Sequence, residues 1–236
     1  MTDLASYRYP AGRLLIFARA PVAGAVKTRL AASIGAAAAA RLYRQLVQGT
    51  LDTVLQAGLA PVDLYVTPNT THPFIRSLAQ RLPITALQQQ GVDLGERMYN
   101  ALQDTLRTSE FALLIGTDCP VMTATYLHQA CRQLEAGKDL VVGPTEDGGY
   151  VLIGARRAYR ELFDSVPWGS AEVLQATRER AESLGLRYAE LGALWDLDTP
   201  ADLARWHTQQ RPRPAAVTDS NHSARWSNRH EPDQIR

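Results

Sequence analysis

Three separated stretches of this chain put carboxylates where apolar runs stop. Ala112-Leu113-Leu114-Ile115 leads into Gly116-Thr117-Asp118-Cys119-Pro120. The apolar run reads as a buried strand, so Asp118 is delivered to its C-terminal end. In open α/β sheets that edge is where ligands bind. A lone Asp there would serve equally well as a helix cap. Glu146-Asp147-Gly148-Gly149-Tyr150 and Trp195-Asp196-Leu197-Asp198-Thr199 repeat the pattern. Asp196 and Asp198 are two apart, so an extended segment turns both to one side. Asp118, Asp196 and Asp198 together suit a hard cation, Mg²⁺ or Mn²⁺, which prefers oxygen ligands. Without a cation three gathered carboxylates repel. Asp118 lying far from Asp196 and Asp198, or a salt bridge plugging the space among them, would end the case for a metal there.

A cationic counterpart stands near the N-terminus. Pro21-Val22-Ala23-Gly24-Ala25-Val26-Lys27-Thr28-Arg29-Leu30 is a loop with one glycine and two cations before a helix. Backbone N–H groups at a helix start, with a lysine and an arginine beside them, make a cradle for pyrophosphate. Neither G-x-x-x-x-G-K-[ST] nor G-x-G-x-x-G is present. The alternative is two solvated surface cations. In Glu146 to Tyr150 the glycines let backbone approach a ligand, and the acids could hold or deprotonate a hydroxyl. The competing reading is a tight turn between strands. Cys119 lacks a partner histidine, and His72, His128 and His207 lack metal-ligand spacing. Trp168 and Trp195 read as packing residues, Trp195 bordering the acid pair.

The elements that must carry these residues alternate. Strands are expected at Arg13 to Ala20, Val62 to Thr67, Ile84 to Leu87, Ala112 to Ile115, Leu140 to Gly143, Tyr150 to Gly154 and Arg187 to Leu191. Between them fall a long helix ending at Gly58, a short one from Pro73, one carrying Met98 and Leu102, one capped by Thr123 and one capped by Ser170. Thr199-Pro200-Ala201-Asp202 opens a last helix ending near His207. Alternation argues an α/β fold: three layers, with a mostly parallel twisted sheet between helices. One domain is expected over residues 10–208. Residues 209–236 hold almost no aliphatics and read as a disordered polar tail.

The bulk numbers exclude several classes. The chain has 236 residues, 45% hydrophobic and 21% charged, with a formal net charge of +1. That balance gives no footprint for nucleic acid or an acidic membrane surface. No apolar run approaches the roughly 20 residues that span a bilayer. Two cysteines do not make a disulfide scaffold. A cytoplasmic protein is expected.

Five motifs occur in order: F-A-R-A-P-V-A-G-A-V-K-T-R-L from Phe17, G-V-D-L-G-E-R-M from Gly91, I-G-T-D-C-P from Ile115, G-P-T-E-D-G-G-Y from Gly143 and D-L-D-T-P-A-D-L from Asp196. Together they resemble a bacterial family labelled glycosyltransferases of the arsenosugar-biosynthesis type. That family resembles the A-type glycosyltransferase, or nucleotide-diphospho-sugar transferase, fold. It is also similar to nucleotidyltransferases that activate 2-phospho-lactate or phosphoenolpyruvate with GTP. The resemblance implies a metal-dependent transferase with a nucleotide-activated donor and a small acceptor. It implies that Gly24, Lys27, Thr28 and Arg29 hold phosphates, with Leu94, Gly95 and Arg97 near base or ribose. Asp118, Asp196 and Asp198 would hold the metal. Glu146, Asp147, Gly148, Gly149 and Tyr150 would face the acceptor, with Asp147 or Glu146 as base. The usual Asp-x-Asp is reduced to Gly116-Thr117-Asp118, so a metal there needs the distant pair. Glycosyl transfer is the first expectation, nucleotidyl transfer the second, and a non-catalytic nucleotide-binding module the third.

Overall fold

The computed structural model describes residues 6–210. The expected tail therefore lies almost wholly outside the described residues. The chain runs β1 (Gly12–Arg19), α1 (Thr28–Ile34), α2 (Ala36–Ala57), β2 (Val62–Thr67), α3 (Pro73–Arg81), β3 (Ile84–Gln88), α4 (Leu94–Thr105) and β4 (Phe111–Gly116). Then follow α5 (Ala124–Glu135), β5 (Leu140–Pro144), β6 (Tyr150–Ala155), a 3-10 turn (Arg160–Leu162), α6 (Val173–Ser183), β7 (Tyr188–Glu190) and α7 (Pro200–Gln210).

The strands form a single seven-stranded sheet in the order β3-β2-β1-β4-β6-β5-β7. Every pairing is parallel except those of β6 with β4 and β5. This is the mostly parallel, three-layer α/β architecture expected from the alternation. The period of two along β1 shows why both faces are covered. Leu14, Ile16 and Ala18 join a core with α2, α3 and α5. Leu15 and Phe17 join the opposite core with α4 and α6. Strands buried on both faces read as unbroken apolar runs, which is how β1 and β4 look.

Local chemistry sets the helix ends. Asp93 accepts from Glu96 N, while Glu96 accepts from Val92 N, a reciprocal cap on α4. Thr123 caps α5 through Tyr126 N, as expected. Three expectations need correction. The long helix is two, because Gly35 takes a φ of 85° and breaks α1 from α2. Ser170 does not cap α6 directly. Its Oγ accepts from Glu172 N in a preceding turn, and α6 starts at Val173. The last helix continues past His207 to Gln210. Among the described residues no helix is long and apolar enough to cross a membrane.

Candidate active site

The acids converge because backbone hydrogen bonds lash three segments together. Leu194 N donates to Pro144 O, and Glu146 N donates to Leu194 O, so the strip that follows β7 runs beside the end of β5. Leu197 N then donates to Asp118 O at 2.8 Å. Along this strip Trp195 and Leu197 point inward, packing with Leu30, Leu42 and Leu46. Asp196 and Asp198, at the intervening positions, line a cleft of about 700 Å³ together with Asp118. Asp202 fixes the exit of the strip: its Oδ2 accepts from Asp198 N, Thr199 N and Thr199 Oγ1.

The β1–α1 loop closes on the acids from the other side. Lys27 sits at the cap of α1 with φ 48° and ψ 46°, a left-handed conformation rare for a residue with a side chain. Such strain is tolerated where position matters. Its side chain is only 4% exposed, and Nζ lies 2.5 Å from Asp118 Oδ1 and 2.6 Å from Asp198 Oδ1. Burial works to lower the Lys27 pKa, but Asp118 and Asp198 outweigh it and the ammonium is held above its ordinary value. Lys27 thus plugs the space between Asp118 and Asp198 with a salt bridge, which counts against a metal shared by those two while the lysine stays there. The physical reason is the repulsion noted above: carboxylates set this close need a cation, and the chain supplies one.

One lysine does not balance the set. Asp196 Oδ1 is buried and has no hydrogen-bond partner among the described residues. Burial first, then Asp118, push the Asp196 carboxyl up to about 7 against the pull of Lys27. Among the described residues no group of three or more His, Cys, Asp or Glu side chains is arranged to hold a metal ion.

The remaining expected residues divide. Lys27, Thr28, Arg29, Leu94, Arg97, Asp147, Gly149 and Tyr150 line the cleft; Gly24, Gly95, Glu146 and Gly148 do not. Arg29 is exposed on the first turn of α1. Arg97 Nε donates to Gly91 O, bracing the loop before α4. Gly95 is a packing position: a Cβ there would meet Phe163 O and the Trp168 indole. Glu146 turns outward to α7, where Arg205 grips both its oxygens at 2.7 and 2.9 Å. Residues 145–149 are indeed a turn between β5 and β6, with Thr145 N donating to Gly149 O. The same turn aims Asp147, whose Oδ1 accepts from Thr145 Oγ1 at 2.5 Å and Gly149 N at 3.1 Å. Cys119 is buried, its thiol pushed up to about 11 chiefly by desolvation, and it lies outside the cleft.

Two wall elements were not foreseen as site residues. Gln89, just past β3, lies in the cleft wall with Nε2 donating to Ala18 O and Tyr65 O, each at 3.0 Å. It sits in a run of three glutamines that carries no positional signal. The segment 168–171 also lines the cleft. Trp168 stacks on Phe163 and meets Tyr150 edge-on. Gly148 locks that segment down. Its φ is +87°, its carbonyl accepts from Leu174 N, and a Cβ would collide with the backbone of Ala171. Gly148→Ala is expected to cost about 1–3 kcal/mol in a denaturant melt, since backbone cannot yield as a side-chain tip can. A variant as stable as the parent would show that the segment moves freely.

Residues 50–170 match the family described as uncharacterized proteins conserved in bacteria, DUF2064. The chain belongs to that family. A crystal structure from Desulfovibrio desulfuricans G20, of a protein assigned as a nucleotide-diphospho-sugar transferase, is 33% identical, with a TM-score of 0.78 over 85% of this chain and 88% of that one. More distant structures share the fold. The 4-diphosphocytidyl-2C-methyl-D-erythritol synthase of Anaerococcus prevotii DSM 20548 is 11% identical, TM-score 0.55, over 84% of this chain and 98% of its own. A CMP:2-keto-3-deoxy-manno-octonic acid synthetase complexed with CTP is 13% identical, TM-score 0.54, over 84% and 97%. No curated protein sequence matches the chain.

Proposed function

We propose that this protein transfers a glycosyl group from a nucleotide-diphospho-sugar to a small acceptor. The observation that carries the reading is the meeting of Lys27 with Asp118 and Asp198 at the C-terminal edge of the sheet. A phosphate-binding loop and a carboxylate cluster share one cleft, which is what a nucleotide-activated donor requires. The 33%-identical relative, described as a nucleotide-diphospho-sugar transferase, supports it. Sugar transfer of the arsenosugar-biosynthesis kind is the narrower form of the reading.

In this reading Lys27 and Arg29 hold the diphosphate, the first as a point charge and the second as a fork. Thr28 offers its backbone at the start of α1. Leu94 and Arg97 flank the nucleoside, while Gly24 shapes the loop and Gly95 seats α4. Asp147, oriented by Thr145 and Gly149, takes the proton of the acceptor hydroxyl. The hydroxyl oxygen bonds to the anomeric carbon as the carbon–oxygen bond to phosphate breaks. That electron pair leaves with the nucleoside diphosphate. Gly149 and Tyr150 wall the acceptor side, and Glu146 and Gly148 support that turn from outside the cleft. Asp118, Asp196 and Asp198 would hold Mg²⁺ or Mn²⁺ through oxygen donors once drawn together, and Asp196 Oδ1, which has no hydrogen-bond partner among the described residues, would be one of them. When bound there the cation would neutralise charge on the departing diphosphate. Lys27 would have to yield its place between Asp118 and Asp198.

One observation favours a second reading. Four cations, Arg19, Lys27, Arg29 and Arg97, line the cleft, enough for a triphosphate. A nucleotidyltransferase would use them while an acceptor phosphate attacks the α-phosphorus and pyrophosphate leaves. A non-catalytic nucleotide-binding module is the remaining alternative.

Calorimetric titration with UDP-glucose, GDP-mannose, GTP and CTP, with and without Mg²⁺, tests all three. Metal-dependent binding is expected, and release of nucleoside diphosphate rather than pyrophosphate separates the two enzymes. Binding that ignores the metal would count against both. Asp118→Ala is expected to abolish the metal-dependent part; an unchanged affinity would remove Asp118 from the site.

A further inference from the structure

The seam between β1 and β4 opens where the cleft begins. The two strands pair in parallel from Gly12 with Phe111 to Phe17 with Gly116, and their ladder stops there. On its other side β1 stays paired with β2 as far as Arg19 with Thr67. Successive N–H groups along a strand point to alternate edges. Ala20 N donates to Thr67 O on the β2 side. The N–H of Arg19, one residue earlier, therefore points into the open seam, beyond the last rung of the β4 ladder. A backbone donor at such a place needs a partner from elsewhere.

A side chain supplies it. Tyr43 stands in α2, in the core with Leu14, Ile16 and Val47. Its hydroxyl accepts from Arg19 N at 2.9 Å and lies 3.1 Å from Oγ1 of Thr117, the first residue beyond β4. The proton inventory fixes the directions. Arg19 N can only donate, so the Tyr43 oxygen accepts there. The Tyr43 proton then has one acceptor among the described residues, Thr117 Oγ1. Tyr43 and Thr117 are 5% and 2% exposed, so water competes little for either bond. Burial first, then the Asp118 charge, hold the phenol above its ordinary pKa, which keeps that proton in place.

Both ends of this chain of bonds belong to the cleft. Arg19 is the root of the loop that carries Lys27 and Arg29, and Thr117 is the residue before Asp118. Resting on the transferase reading, we propose that Tyr43 is a positioning residue, whose hydroxyl ties the phosphate loop to the Asp118 segment and sets the span that metal and diphosphate share. The strand ladder cannot set that span, because it ends before Arg19. A tyrosine that only filled the core would need its ring and not its oxygen.

Tyr43→Phe keeps the ring and removes the tie. Calorimetric titration with UDP-glucose, with and without Mn²⁺, gives the factor by which the metal tightens nucleotide binding. That factor is expected to fall by about tenfold or more in Tyr43→Phe and in Thr117→Val. Thr117→Ser, which returns an oxygen to Tyr43, is expected to recover it. An unchanged factor in Tyr43→Phe would overturn the proposal even if the melting temperature drops, since a packing role moves stability alone. Hydrogen exchange at Arg19 N–H reads the tie with no ligand present. It is expected to run about tenfold faster or more in Tyr43→Phe, while Ala20 N–H, held by β2, keeps the parent rate. Equal exchange at Arg19 in both proteins would overturn the proposal as well. Should Tyr43→Phe not fold, Thr117→Val carries both readouts. Failure of the transferase reading shows separately, as a parent that binds no nucleotide more tightly with Mn²⁺. Exchange at Arg19 then decides whether Tyr43 joins the two segments.

Discussion

Lys27→Met is expected to move two affinities in opposite directions. Mn²⁺ alone should bind the variant at least tenfold more tightly than it binds the parent. UDP-glucose with Mn²⁺ should bind it about 10- to 100-fold more weakly, the effect of losing a charge-assisted hydrogen bond to phosphate, about 1.5–3 kcal/mol. The first effect follows from competition. The ammonium now stands between Asp118 and Asp198, and a divalent cation has to displace it. Removing it leaves Asp118, Asp196 and Asp198 without their internal counter-charge. The second effect follows from the loop. Lys27 is held in a left-handed backbone conformation at the mouth of α1, so once displaced its ammonium stays beside the donor phosphates. Loss of stability should be modest, because Asp118 and Asp198 side chains are 44% and 42% exposed and water screens their repulsion. Calorimetry with Mn²⁺ first and the nucleotide second reads both numbers. A parallel loss of both affinities would mean that Lys27 only holds the acids in place and that no exchange takes place.

Much of this arrangement is legible in the sequence alone. The buried strands announced themselves because a sheet covered on both faces demands unbroken apolar runs, and β1 and β4 have them. Asp118 was legible for the same reason, as the first carboxylate past a buried strand. The spacing of Asp196 and Asp198 showed that they would share a side, and the alternation with Trp195 and Leu197 bears this out. Long-range contacts were not legible. Nothing in the sequence says that Leu197 N would bond Asp118 O, or that Lys27 would insert between acids from two other segments. Such pairings depend on backbone register between strips far apart in the chain. Glu146 and Asp147 looked equivalent as neighbours, yet a single turn separates their fates. Asp147 is turned into the cleft, while Arg205, itself placed by α7, draws Glu146 outward. The break at Gly35 and the cleft-lining place of Trp168 were hidden for a similar reason. A glycine within an alanine-rich run and a tryptophan among turn residues each have several ordinary uses.

Asp196→Asn is expected to flatten the dependence of stability on pH. The Asp196 carboxyl is pushed from its ordinary 3.8 up to about 7 by burial, then by Asp118, with Lys27 opposing and Asp147 and Asp198 adding. Between those values the folded protein holds a proton that the unfolded chain has released. Stability therefore falls as pH rises from about 4 to about 7, and no further loss from this group occurs above that. At about 1.4 kcal/mol per unit the penalty is on the order of 4 kcal/mol once the group is fully ionised. In a chain of this size that is roughly 8–16 °C of melting temperature. The parent and Asp196→Asn should melt together near pH 4 and separate progressively, with the variant higher by pH 8. Adding Mn²⁺ at pH 8 should then raise the parent and leave the variant nearly unmoved, because a cation relieves the penalty only where a carboxylate suffers it. Melting curves that run parallel from pH 4 to pH 8 would show that Asp196 ionises like an ordinary surface acid, and its claim to a place in the cation site would go with that. If the curves separate as expected but Mn²⁺ moves neither protein, the crowded carboxylate is real and the metal is not.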